Sequence, residues 1–226
     1  MKQKQIKILL VIAISANISA FSQISSGQDF KPVSQNMLNN PDPEDWLMWR
    51  GSYENWGYSP LTEINQDNVD QLRLAWSWEF APAAPGSNGM QVEPTVYDGV
   101  MYIRHSNEKY SALNAANGDL IWQYTRTLAA EVAGYETRLT VHRGRGVFIY
   151  EDKLISHSTD GMLFALNPRD GSLIWEVAMQ DFRSGQQPSG APVAYGGWLV
   201  VPYICTAWTS PDPIHIWAYS GEDGSQ

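Results

Sequence analysis

The chain has 226 residues, 24 acidic against 15 basic, for a formal charge of −9, and 43% of it is hydrophobic. An acidic surface of this kind repels phosphate backbones and anionic headgroups, which excludes nucleic acid and an anionic lipid surface as partners. A single cysteine, Cys205, excludes an internal disulfide and a Cys-x-x-Cys-His haem attachment within the chain.

Met1 to Lys7 is basic, Ile8 to Ile14 is apolar, and Ala20-Phe21-Ser22 precedes Gln23. This order predicts a cleavable signal peptide over residues 1–22, because the apolar run is well short of the roughly 18–20 residues that a helix needs to cross a bilayer. Its removal takes three lysines and no acid, lowering the net charge to −12. The expectation is an exported, periplasmic protein with no membrane span after cleavage. Residues 23–40 are polar and predict a flexible linker, with ordered structure beginning at Pro41. Asn68 to Leu72 predicts a short helical turn entering a strand over Leu74 to Phe80, a segment that either packs on the first repeat or closes a ring.

A repeat then begins. Ala112-Leu113-Asn114 runs through Gly118 to Trp122, Ala165-Leu166-Asn167 runs through Gly171 to Trp175, and Ala218-Tyr219-Ser220 reaches Gly224, with the glycines 53 residues apart. Tyr97-Asp98-Gly99-Val100 and Tyr150-Glu151-Asp152-Lys153 each stand 15 residues ahead of their Ala-Leu-Asn. The third counterpart, Tyr195-Gly196-Gly197-Trp198, stands 23 residues ahead, which puts eight extra residues near Thr206 to Pro213. Each mark is an apolar strand, a tight turn and another apolar strand, so a repeat holds about four strands, the content of one propeller blade. The fold class is all-β: a partial β-propeller of about three four-stranded blades, starting near residue 76. Trp122 and Trp175 are expected to fill the gap between neighbouring sheets, each contributing about 2–3 kcal/mol of burial.

Trp49-Arg50-Gly51, then Gly57-Tyr58-Ser59-Pro60-Leu61-Thr62-Glu63-Ile64-Asn65 and Leu74-Ala75-Trp76-Ser77, resembles the N-terminal signature of the PQQ-dependent (quinoprotein) alcohol dehydrogenases, and the repeats extend the resemblance to Gly224. That family implies an eight-bladed ring with pyrroloquinoline quinone (PQQ) at the mouth of the central channel beside Ca²⁺ or a similar ion. The metal polarises the quinone, an aspartate takes the alcohol proton, and hydride passes to the cofactor. Domain boundaries of 1–22, 23–40 and 41–226 then describe the N-terminal part of such a ring, with the catalytic aspartate expected beyond residue 226 and no activity expected from this stretch alone. The function implied is oxidation of a small alcohol or sugar, with electrons passed to a separate cytochrome or quinone. The alternative is a non-catalytic PQQ-type propeller serving as a protein-binding envelope scaffold. The Trp-Arg-Gly…Tyr-Ser-Pro-Leu-Thr block and the lack of a lipid-accepting cysteine favour the enzyme.

The resemblance also assigns cofactor residues. Gln91, three residues before Pro94, stands where alcohol-oxidising members carry a glutamate that hydrogen-bonds PQQ, and Glu93 is its alternate on the same strand face. Arg145, in Arg143-Gly144-Arg145-Gly146, matches the arginine whose guanidinium meets the quinone carboxylates. Ser189, ahead of Gly190-Ala191-Pro192, matches a hydroxyl residue on a PQQ carboxylate. Leu139-Thr140 replaces the family's adjacent cysteines. Asp212 is the one carboxylate of the insertion able to serve as a hard-cation ligand. His105, His142, His157 and His215 follow no metal-ligand spacing and are expected to be strand or rim residues.

Overall fold

Asp98 and Gly99 both take positive φ, 48° and 73°, and so do Gly196 and Gly197, 59° and 86°. Such pairs form the two-residue turns whose twist matches that of the flanking strands. The first turn joins β1 (Thr95–Tyr97) to β2 (Val100–Arg104), which continues through β3 (Lys109–Asn114) to β4 (Leu120–Thr125). These four make one antiparallel sheet in chain order. A second sheet of the same order comprises β5 (Phe148–Tyr150), β6 (Lys153–His157), β7 (Met162–Leu166) and β8 (Leu173–Ala178). The third holds β9 (Gln186–Pro188), β10 (Val193–Tyr195), β11 (Trp198–Cys205) and β12 (Ile216–Ser220), with β9 and β10 both pairing with β11. The computed structural model describes residues 30–80, 92–105, 108–128, 130–132, 146–184, 186–188, 190–205 and 215–226.

The turn after the third strand recurs almost atom for atom. Asn114 and Asn167 accept from the backbone N–H two residues on through their side chains, at 2.9 and 3.0 Å, and Ser220 does the same at 3.2 Å. Gly118, Gly171 and Gly224 then take φ of 78°, 74° and 74°. A side chain at any of them would strike an indole: a Cβ on Gly118 would lie 2.7 Å from Trp76, one on Gly171 2.5 Å from Trp122 of the preceding sheet, and one on Gly224 2.8 Å from Trp175 of the preceding sheet. The Trp122 indole N–H also donates to the Pro168 carbonyl at 2.8 Å. The expected role of Trp122 and Trp175 as wedges between sheets is thus what the structure shows. Each glycine supplies both the turn and the flat surface on which the neighbouring blade rests.

The 3-10 turn Val69–Gln71 forms where a short helical turn is expected. Leu74 to Phe80 departs from expectation, because it joins no ladder among the described residues. A strand exists only by pairing, and this segment pairs with none of the described strands. Its anchor is Trp76, which packs on Gly118 and donates to the Ala115 carbonyl at 3.0 Å.

The packed chain also starts earlier than the polar composition of residues 23–40 suggests. Val33 exchanges two 2.9 Å hydrogen bonds with Glu151, Ser34 caps the helix α1 (Gln35–Asn39), and Val33 and Leu38 are fully buried. Trp46 bridges to Val96, Gln35 accepts from the Gly196 N–H at 2.8 Å, and the Tyr53 hydroxyl donates to the Ala194 carbonyl. Residues 33–53 therefore strap across all three sheets. Arg126 ties the first sheet to the second through Asp160 and Glu176, at 2.9 and 2.6 Å.

Candidate cofactor site

Because β1–β4, β5–β8 and β10–β12 each run as an antiparallel meander, the residues leading into the first strand of each and the connection between its second and third strands lie at one end. That end gathers the approaches to β1, β5 and β10 with the turns around Glu108 and Thr159. The approaches to the first two sheets are side by side: Thr95 donates to the Val147 carbonyl at 2.8 Å, and a Cβ on Gly146, whose φ is 121°, would sit 2.9 Å from the Glu93 carbonyl. Gln91 is two residues upstream of Glu93, and Arg145 immediately precedes Gly146. Gln91, Arg145, Ser189 and Asp212 themselves lie outside the described residues, as do Leu139 and Thr140.

Glu93, the alternate to Gln91, is engaged with the N-terminal block. One of its carboxylate oxygens accepts from the Trp46 indole N–H and from the Arg50 backbone N–H, the latter at 2.9 Å. This carboxylate closes the Trp49-Arg50-Gly51 loop onto the first blade.

Sequence reasoning missed a buried polar cluster at the same end. Arg104 pairs with Glu108 at 3.1 Å, and their side chains are 4% and 1% exposed, so neither charge has water to fall back on. Glu108 also accepts from the Thr159 N–H at 3.1 Å, from the Thr159 hydroxyl at 2.6 Å and from the Tyr110 hydroxyl at 3.0 Å. His157 places Nδ1 3.3 Å from Arg104 Nη1 and Nε2 2.8 Å from the Gly190 carbonyl. A guanidinium only donates, so Nδ1 is the acceptor and the imidazole proton sits on Nε2, donating to Gly190. Burial, with the Arg104 charge behind it, pushes His157 down to about 3, which keeps the ring neutral. Burial and then Lys109 lower His105 as well. The signal available in the sequence was that Arg104 and His157 are 53 residues apart, the repeat period.

The donors assigned by resemblance, a guanidinium, an amide and a hydroxyl, suit a flat tricarboxylate such as PQQ. Gly146 adds a close backbone approach beside that end of the blades. No group of three or more His, Cys, Asp or Glu among the described residues could hold a metal ion.

Three successive four-stranded antiparallel sheets, wedged by a tryptophan on a glycine at a fixed period, are blades of a β-propeller. The family described as the glucose/ethanol/alcohol dehydrogenase β-propeller domain matches residues 46–195. The dehydrogenase subunit of the quinone-dependent alcohol dehydrogenase of Gluconobacter oxydans is 32% identical over 207 residues, 88% of this chain and 26% of that relative. A quinohemoprotein alcohol dehydrogenase structure from Pseudomonas putida HK5 superimposes with a TM-score of 0.75 at 28% identity, over 87% of this chain and 28% of that one. A europium-containing methanol dehydrogenase gives 0.69 at 26% identity, over 84% and 32%. The chain belongs to the PQQ-dependent (quinoprotein) alcohol dehydrogenase family, and it spans about a quarter of the length of the curated relative above.

Proposed function

We propose that this chain forms consecutive blades of an exported PQQ-dependent dehydrogenase that oxidises a small alcohol or sugar and hands the electrons to a separate acceptor, a cytochrome or a quinone. The observation that carries this reading is the family match across residues 46–195, which takes in the N-terminal block and the first two blades. The leading segment, residues 1–22, serves export to the periplasm.

PQQ, when bound, supplies a two-electron acceptor. The chain's own contribution is to hold it. Arg145 offers a planar pair of donors to one carboxylate, Ser189 bonds another, and the Gln91 amide donates or accepts at the ring edge. Gln91 is neutral, so it cannot serve as a metal's anionic neighbour. Asp212 is the carboxylate of the third-blade insertion available to Ca²⁺ or a similar ion.

The test is to load the full-length protein with PQQ and Ca²⁺ and follow reduction of an artificial dye with a panel of primary alcohols and sugars. Substrate-dependent reduction supports the enzyme. No reduction across the panel, with no PQQ bound, favours a scaffold propeller.

A further inference from the structure

The first and second blades meet around a peptide segment. The Phe30 ring meets the Tyr97 ring edge-on at 5.6 Å, the Arg169 guanidinium lies over it at 5.1 Å, and Arg169 also donates to the Phe30 carbonyl at 3.4 Å. The Tyr97 hydroxyl donates to the next carbonyl, that of Lys31, at 2.9 Å. The slot thus holds a ring by its edge and face, and the backbone beside it by two donors.

At the same position of the repeat, between the second and third blades, there is a cavity of about 430 Å³. Its size falls within the ~300–1,000 Å³ usual for binding pockets. Tyr150, Glu151, Gly221 and Glu222 line it, each 53 residues beyond its counterpart in the Phe30 slot, Tyr97, Asp98, Pro168 and Arg169. The interface is drawn in less tightly here. The Pro168 carbonyl accepts from the Trp122 indole and the Tyr102 hydroxyl, at 2.8 and 3.3 Å, whereas the Trp175 indole nitrogen, counterpart of Trp122, is buried without a partner among the described residues. The tyrosine is kept, so a ring edge and a hydroxyl are offered again. Arg169 has become Glu222, which reverses the charge: a carboxylate is repelled by a ring face and drawn to a cation. Lys153, the cation among the described lining residues, is held by Asp152 at 2.7 Å, so Glu151 and Glu222 set the sign of the cavity.

We propose that this cavity is a docking slot for a segment of a partner polypeptide, taking an aromatic side chain against Tyr150 and a neighbouring lysine or arginine against Glu222. The chain's own use of the twin slot, by Phe30 and Lys31, identifies the occupant as a peptide, and the exchange of Arg169 for Glu222 sets its charge. The slot is formed by the turns after the first and third strands of the blades, at the end away from the approaches to β1, β5 and β10. The inference therefore stands apart from the cofactor reading.

The test uses the full-length protein and three dye-labelled peptides, Gly-Phe-Lys-Pro-Gly, Gly-Phe-Glu-Pro-Gly and Gly-Ala-Lys-Pro-Gly, followed by fluorescence anisotropy. The proline keeps the residue before it extended, as Pro32 does for Lys31. Wild type should bind the Phe-Lys peptide about threefold more tightly than either of the others, one exposed charge pair or one aromatic contact accounting for each difference. Glu222→Gln should bind the Phe-Lys and Phe-Glu peptides equally, and Glu222→Arg should prefer Phe-Glu. Both substitutions are at an exposed turn residue, so the fold is expected to persist. No saturable binding to wild type, which is also the result if another part of the full-length protein or a second copy fills the slot, would overturn the proposal. So would equal binding of the three peptides, or a preference for Phe-Lys that survives in Glu222→Arg. None of these outcomes touches PQQ binding, which is measured separately and decides the dehydrogenase reading.

Discussion

The indole of Trp76 lies against Gly118 as the indole of Trp122 lies against Gly171, with a Cβ on the glycine falling 2.7 and 2.5 Å from the ring. Both indoles also donate to a carbonyl at the same position of the repeat, Ala115 and Pro168. Trp76 thus does for the first blade what the outer strand of each blade does for the next, although residues 74–80 join no ladder among the described residues. Trp76→Ala is expected to cost about 1–3 kcal/mol, a half-buried ring and one hydrogen bond. Hydrogen exchange should show residues 74–80 losing protection in that variant, with β6 and β7 unchanged.

Gly171→Ala tests the wedge directly. Its φ of 74° strains any side chain, and the added methyl meets the Trp122 ring. The expected loss is about 2–4 kcal/mol, read as a lower urea midpoint. Gly196→Ala, at positive φ but in open space, should cost about 1 kcal/mol.

Glu108→Gln leaves the Arg104 charge buried with only neutral partners. A loss of about 3–5 kcal/mol is expected. The double variant Arg104→Met/Glu108→Leu should recover only part of it, because it removes both charges but leaves the Thr159 N–H and hydroxyl, the Tyr110 hydroxyl and His157 Nδ1 without these partners. A double-mutant cycle by urea denaturation measures that coupling.

Acid should weaken the fold through His157. Its folded value, about 3, lies below the 6.5 of an unfolded histidine, so between these values the unfolded chain binds the extra proton. The contribution is complete above pH 6.5 and falls by up to about 1.4 kcal/mol per unit as the pH drops towards 3. Asp170 and Asp223, held below the usual carboxylate range by hydrogen bonds from Ser172 and Ser225, add a loss of the same sign lower in the range. Urea midpoints from pH 7 to 4 should decline more steeply for the wild type than for His157→Gln.

The blades were legible because their determinants are local. Asp98-Gly99 encodes a turn by itself, and Asn114 through Gly118 specifies the next one wherever it recurs. Two further features were hidden for a common reason. Val33 and Leu38 are single apolar residues in polar surroundings, and only the docked sheets show that both are fully buried. Arg104, Glu108 and His157 read as ordinary strand and turn residues until adjacent blades bring them within hydrogen-bond reach. The strand expected over Leu74 to Phe80 has the right residues but no described partner to pair with. Gln91, Arg145, Ser189 and Asp212 were assigned by resemblance to motifs, and periodicity alone would have singled out none of them.

The central claim, that these blades belong to a PQQ-binding propeller, is tested most directly by equilibrium dialysis of the full-length protein against PQQ with Ca²⁺ present. Saturable binding of one PQQ per chain is expected, weakened at least tenfold by Arg145→Ala through loss of a charge-assisted pair. Absence of saturable binding, or equal binding by the Arg145→Ala variant, would contradict it.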